Sequence, residues 1–536
     1  MYHRVKLVFG IVTVKFRGDD MDSFKKILLG EIEGFREFGH KFLNGELNAM
    51  QFKQTSCGMG MYAQRGGKKF VIRFRIPSGI THIDELKLIY QYAKKNNLGS
   101  IHLTTRQCIQ LHGMDFDDAC DLMSDGIKVN LFTRGSGGDF PRNVALSPLA
   151  GVDKKEPFDP TPYALATGNH FLKKIYAYKL PRKIKISFSN SDADTAHCTI
   201  QDLGFVATKK DGKDYFKVFI GGGLGNNPRK AIEIDELIEP KDVLYYVEGM
   251  TNLFIAEGDY KNRAKARIRY IPNRIGDEEF VKLFKEYSED EKKKGELELN
   301  LYPNEIKKQG KVVDLIHKRL YAQKQAGLYS VYLHPVGGQL KIEYLKELID
   351  TLENFEEVDI RLALTEGIYF RNLNGDEAKE ILDITEKMGG NTEISQSISC
   401  IGVPSCQIGI CNSQGLLDMI VKYFEENNYT ADVLPRVYIS GCPNSCGVHE
   451  IGDIGFTGKR KRLADGVRDV FALQIGGCYG VNKTRLSEAK GEMLPELIPE
   501  FLYKLSENIE ESGLGFEKYI SEREEELDEL ISKYIV

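Results

Sequence analysis

Apolar and polar positions alternate through FVIRFRIPSG from Phe70, a period of two that predicts a strand. The pattern then shifts to helical spacing across IDELKLIYQYAKK from Ile83, and a second extended run, IHLTTRQCIQLHG from Ile101, follows. The order repeats further along: Tyr62-Ala63-Gln64 returns as Tyr321-Ala322-Gln323, followed by LYSVYLHPVGG from Leu328, IEYLKELIDTLEN from Ile342 and IRLALTEGIYFRN from Ile360. Each copy predicts β-α-β. A second block also recurs, with Leu180-Pro181-Arg182 returning as Leu434-Pro435-Arg436, IQDLGF from Ile200 as IGDIGF from Ile451, and IGGGLG from Ile220 as IGGCYG from Ile475. The chain therefore contains itself twice, each half a small β-α-β module leading into a larger α/β module.

This pattern predicts an α+β fold with pseudo-two-fold symmetry. Residues 1–50 read as an N-terminal extension, its apolar start as mature structure and a strand. The first small module is placed at 51–125, the first large one at 126–284 and a charged, exposed linker at 285–320. The second small module follows at 321–392, the second large one at 393–490 and a C-terminal helical segment at 491–536. Repeats can serve stability alone. Here the copies differ where chemistry is possible: the first carries Arg106, Arg142, Lys183 and Lys185 where the second reads as apolar or small, and the second gains cysteines.

Composition narrows the classes. With 42% hydrophobic and 28% charged residues over 536 positions, and no long apolar run, the chain reads as a soluble, multi-domain protein without a membrane span. A net charge of −5 argues against a generally basic nucleic-acid binder. Ten cysteines without a disulfide-like framework point to a reducing, cytoplasmic setting and a metal site.

Four cysteines carry the strongest signal. Cys400 and Cys406 in SCIGVPSC and Cys442 and Cys446 in SGCPNSCG give C-x5-C, a gap of 35 residues, then C-x3-C. Four thiolates suit an iron–sulfur cluster, and Gly402, Gly441 and Gly447 with Pro404 and Pro443 allow the tight turns that bring peptide N–H groups to the sulfur. Structural zinc and simple buried thiols are the competing readings. Cys57, Cys108, Cys120, Cys198, Cys411 and Cys478 lack partners at ligand spacing and read as packed thiols, with Cys411 the one to watch.

HLTTRQ at 102–107, FPRNV at 140–144, LPRKIK at 180–185, the cysteine quartet and the duplication together resemble the sirohaem-dependent sulfite and nitrite reductases, over roughly residues 50–490. The resemblance implies small ferredoxin-like modules, larger sirohaem and cluster modules, and a 4Fe-4S cluster on Cys400, Cys406, Cys442 and Cys446, with Cys446 also bridging to a sirohaem. It implies that Arg106, Arg142, Lys183 and Lys185 hold a small oxyanion, which suits the forked donors of arginine and the shared direction of alternate strand residues. Arg73, Arg75 and Arg134 are candidates for the sirohaem carboxylates. His102, His112 and His449 read as packed side chains.

Relatives specific for nitrite commonly carry asparagine where this chain has Lys185, so the resemblance favours six-electron reduction of sulfite to sulfide, with nitrite to ammonia as the alternative. A non-catalytic iron–sulfur protein would need the cysteines but not the four cations. The glycine-rich runs lack the strand–GxGxxG–helix order of a nicotinamide site. Electrons are therefore expected from another protein, a ferredoxin ahead of a flavoprotein subunit.

Overall fold

The computed structural model describes residues 3–7, 10–14 and 21–536. The opening hairpin pairs His3–Leu7 with Gly10–Val14, matching the expected strand; the rest of the first twenty residues lies outside the described positions. Four five-stranded sheets follow, two in the small modules and two in the large ones.

Helix Ile83–Lys95 forms where the spacing predicts it. Glu85 closes its N-terminus by accepting from the His82 N–H at 3.1 Å and the Thr81 hydroxyl at 2.8 Å, and Leu86, Ile89 and Ala93 face the core. Its repeat mate, Ile342–Leu352, buries Leu345, Leu348, Ile349 and Leu352 and packs beside it. The small modules also exchange edge strands. Gln339–Lys341 of the second half pairs with Ser100–Leu103 of the first, and Ile80–Thr81 of the first pairs with Asp359–Leu362 of the second. One apolar core consequently runs through both modules.

Three expectations need correction. Each second extended run is a hairpin rather than one strand: Ser100–Leu103 and Ile109–Met114 flank a turn closed by Gln107 N–H to Thr104 O at 3.0 Å, with Gln107 in the left-handed region at φ 52°. Alternation continues across such a break, and so conceals it. The linker also starts later than expected. Ser288 and Glu291, read as part of an exposed connection, are buried on helix Asp277–Lys294, whose Lys292–Lys294 end complements the helix dipole; irregular chain begins at Gly295. Finally, the N-terminal extension is no appendage, because helix Met21–Leu43 inserts Phe24, Leu28, Ile32 and Phe35 into the shared core.

The large modules repeat one mixed sheet. In the first, Ala145–Leu146, Ile186–Ser189 and Leu203–Lys210 run parallel, and Lys213–Ile220 returns antiparallel. In the second, Ile398–Ser399, Val437–Ser440, Ile454–Leu463 and Gly466–Ile475 do the same. Leu203 stands opposite Ile186 and its repeat mate Ile454 opposite Val437, so Lys185 has Arg436 as its counterpart, not an apolar residue. The Leu-Pro-Arg match is out of step by three residues because strand pairing, not tripeptide identity, sets the equivalence.

Candidate active site

The hairpin turn places Arg106 at the tip of the first small module, facing the first large one. One guanidinium nitrogen, Nη2, donates to Ile186 O at 2.7 Å, while Nε and Nη1 are buried without a partner. Orphaned charged donors are costly, and two on one guanidinium could both be satisfied by a single acceptor. Arg142 donates to Gly135 O at 3.3 Å and Gly138 O at 2.7 Å, which anchors its fork on the glycine-rich loop. Burial holds both guanidinium groups down, each to about 10.

Lys183 and Lys185 flank Ile184, which bridges to Pro141, so the two lysines lie on the same side of an extended segment. Among the described residues neither forms an ion pair. Burial, followed by the repulsion of Lys185 and Arg267, drives Lys183 well below the usual lysine range. Burial, followed by the Arg267 and Arg106 charges, pushes Lys185 down to about 7. A recess that depresses its own cations in this way is complementary to an anion.

Two residues behind this group carry no spacing signal of a site. Asp202, wholly buried, accepts from the Lys185 N–H at 2.8 Å and from Arg267 Nη2 at 2.9 Å, so one carboxylate fixes both. The available clue was recurrence, since Asp202 and Asp453 hold the same place in the repeated IQDLGF and IGDIGF. His197 borders the group, meets the Tyr479 ring edge-to-face at 4.5 Å between ring centres, and is driven to about 3 by burial and the Arg106 and Lys185 charges.

The other candidates divide. Arg73 lies against the Tyr62 ring at 5.5 Å and donates to Ser136 O at 3.4 Å. Arg75 is buried and braces the loop through Pro141 O at 2.8 Å and Arg142 O at 3.3 Å. Arg134 already has a protein carboxylate: its Nε donates to Glu31 at 3.0 Å and its Nη1 to Gly58 O at 2.9 Å, with Phe140 and Tyr176 rings beside it. It is a core ion pair, and the expectation of a cofactor contact there is corrected. His102 and His112 are held to about 3 and 4, chiefly by burial, and bond to Gln339 and Gln110. His449 bonds Ser440 at 2.9 Å.

Directly against the cation group lies the cysteine loop of the second half. Thr105 Oγ1 donates to Cys446 O at 2.7 Å, and Cys446 is close enough to influence the Lys185 charge. Gly441 N–H donates to Cys400 Sγ at 3.2 Å, and Asn444 Nδ2 to Cys442 Sγ at 3.3 Å. Burial and the neighbouring Cys446 push the Cys400 thiol up to about 12; burial also raises Cys442, with Cys446 and Cys406 adding to it. The four sulfurs thus form one electrostatic group. Among the described residues, however, no three His, Cys, Asp or Glu side chains are gathered as a single ion would need. Four thiolates with no histidine or carboxylate beside them are the donor set of a 4Fe-4S cluster. Cys411 is buried under strand Ile454–Leu463, its thiol donating to Lys459 O at 3.3 Å, and is not part of the set.

Two family models match the chain. Nitrite/Sulfite reductase ferredoxin-like half domain covers residues 62–126 and 321–388, and Nitrite and sulphite reductase 4Fe-4S domain covers 137–292. The second match falls on the first large module; the cysteine quartet lies outside it. Curated relatives include a chloroplastic ferredoxin–nitrite reductase of Spinacia oleracea, 26% identical over 80% of this chain and 74% of the relative. Another is a ferredoxin–nitrite reductase of Synechococcus elongatus, 27% identical over 82% of this chain and 85% of the relative. Among solved structures, the NirA protein of Mycobacterium tuberculosis shares the fold, with a TM-score of 0.77 at 22% identity over 94% of this chain and 96% of that one. No helix among the described residues is long and apolar enough to cross a membrane. The duplicated ferredoxin-like half domains and the matched nitrite and sulphite reductase 4Fe-4S domain place this chain in the nitrite and sulfite reductase family, as an oxidoreductase whose cofactors are sirohaem and a 4Fe-4S cluster.

Proposed function

We propose that the chain reduces nitrite to ammonia, taking six electrons one at a time from a ferredoxin. The observation that carries the reading is Arg106, with two buried donors left open beside Lys185 and the Cys446 loop. Cys400, Cys406, Cys442 and Cys446 would hold the cluster, and Cys446 would also serve the sirohaem; when bound, these groups supply electrons to the substrate. Arg73 would meet a carboxylate of the sirohaem, while Arg75, its fork held by Pro141 O and Arg142 O, would brace the loop that carries Arg142.

The protein's own part is binding and proton supply. Arg106 orients the oxyanion through its open Nε and Nη1, Arg142 adds a positive charge held in place by the loop carbonyls, and the anion in turn favours the charged forms of Lys183 and Lys185. A lysine held near 7 gives up and regains a proton at neutral pH, as removal of two oxygens as water demands. Asp202 keeps Lys185 and Arg267 in place through this cycle.

The named relatives favour nitrite over the sulfite expected from Lys185. Sulfite is the second reading, and Lys185 itself is the observation that favours it. Steady-state kinetics of the holoprotein with an artificial one-electron donor separates them. Nitrite is expected to give the higher kcat/KM, and a higher value for sulfite reverses the assignment.

A further inference from the structure

Three features outside the anion site invite a role: the cleft of about 390 Å³ beside Arg485 and the C-terminal helices, the buried Glu366, and a bridge from Arg65 to the cysteine loop. The bridge carries the argument furthest. Arg65 sits in the turn joining strands Met61–Ala63 and Phe70–Arg73, a turn closed by Gln64 N–H to Lys69 O at 2.8 Å and Gly67 N–H to Gln64 O at 3.0 Å. From there its side chain reaches the second half. Nη2 donates to Gly409 O at 2.8 Å and Nε to Cys406 O at 3.3 Å.

The loop it meets is tied down elsewhere by its ends. Cys406 N–H donates to Gly402 O at 2.8 Å, and Ile410 and Cys411 N–H both donate to Gly441 O, at 3.0 and 2.9 Å. Between these ties Gln407 and Ile408 are exposed, and the Gly409 N–H to Cys406 O bond is long at 3.4 Å. Arg65 therefore supplies the principal side-chain hold on the segment that carries one of the four cysteines. With Thr105 on Cys446 O, it means that first-half side chains fasten two of the four cysteine carbonyls.

We propose that Arg65 is a positioning residue of the cluster, clamping the Cys406–Gly409 loop and placing a permanent positive charge beside it that eases one-electron reduction. The inference rests on the assignment of the cluster to these cysteines. Reduction adds one negative charge and breaks no bond, so a nearby guanidinium stabilises the reduced form more than the oxidised one. An arginine suits both tasks, since it cannot lose its proton and its fork spans two carbonyls. Exposure makes the charge contribution sensitive to salt.

The test is a dithionite titration of the holoprotein with redox mediators, following the reduced cluster by electron paramagnetic resonance, in wild type, Arg65→Gln and Arg65→Lys. Arg65→Gln is expected to lower the midpoint by about 59 mV, a tenfold change for one electron, at low ionic strength and by less at high salt. It should also bleach faster in air, with sirohaem absorption retained. Arg65→Lys should restore most of the midpoint, by keeping the charge, but not the resistance to air, because its point charge cannot hold both carbonyls. Wild-type midpoint and bleaching in Arg65→Gln, or a midpoint in Arg65→Lys as low as in Arg65→Gln, overturns the proposal alone. If Arg65→Gln retains no cluster, Arg65→Lys decides. A wild-type protein without a reducible cluster overturns both this proposal and the cysteine assignment.

Discussion

Thr105 Oγ1 donates to the carbonyl oxygen of Cys446 at 2.7 Å, the point where the hairpin tip of the first half meets the cysteine loop of the second. The neighbouring residue on that tip is Arg106, so this bond helps set how the cation group faces the cysteine loop. A net hydrogen bond is worth about 1 kcal/mol, and a misplaced reacting geometry costs more than the bond itself. Thr105→Val, close in shape but lacking the hydroxyl, should lower kcat/KM for nitrite by about tenfold while iron and sirohaem contents stay at wild-type levels. Unchanged kinetics would separate the hairpin from the chemistry.

Arg106→Gln removes the donors that are buried without partners. Loss of one preorganised donor in a dry site typically costs about 10²–10³ in turnover, and kcat should fall in that range with cofactor absorption retained. The melting temperature in the absence of anion should hold or rise, because an unpaired buried cation beside Lys185 and Arg267 is relieved. A drop in both activity and melting temperature would mark Arg106 as structural support.

Lys185→Asn tests the choice of anion. It removes a side chain whose charge is already reduced by burial and by Arg267 and Arg106. Nitrite kcat/KM should fall by about tenfold or less, and sulfite by more, because the doubly charged form loses more Coulomb energy. Parallel kinetics with the two anions checks this. Equal losses would show that Lys185 does not discriminate between them.

The sequence made local periodicity legible and left most three-dimensional pairing hidden. Helix Ile83–Lys95 and the duplication follow from patterns a chain must carry to bury one face. The Gln107 turn could not be read, since its left-handed backbone is held by side-chain bonds to Leu146 and Leu362 from other parts of the chain. Arg134 resembled its neighbours until Glu31, more than a hundred residues earlier, was found to pair with it. Loop equivalence likewise needed the backbone. Asp194 and His197 repeat the left-handed positions of Ser445 and Val448, so Ser191 and Thr195 stand where Cys442 and Cys446 stand in the other copy. Residues of the cation group were recognisable by type; Asp202 showed only through its recurrence as Asp453, and its pairing with Arg267 emerged from the fold.

Glu366 provides a test of the duplication itself. It occupies the place of Gln107 in the other copy, with the same left-handed backbone at φ 61° against 52°, and its Oε2 accepts from Ser399 N–H at 3.0 Å much as Gln107 Oε1 accepts from Leu146 N–H at 2.9 Å. Gln107 also donates through its amide, to Leu146 O and Leu362 O; a carboxylate cannot donate, but a protonated acid can. Burial raises the Glu366 carboxyl well above its ordinary 4.5, opposed by the Ser399 bond. The folded protein therefore keeps a proton that the unfolded chain releases above about 4.5. Its stabilising effect is complete below that pH and is lost as pH rises toward and through the elevated folded value, at up to ~1.4 kcal/mol per pH unit. Glu366→Gln supplies the donor permanently, so its melting temperature should match wild type near pH 5 and exceed it by a margin that widens toward pH 8. Thermal unfolding of both proteins across that range measures the margin. A constant difference, or a variant less stable at every pH, would mean that Glu366 does not reproduce the bonding of its repeat mate.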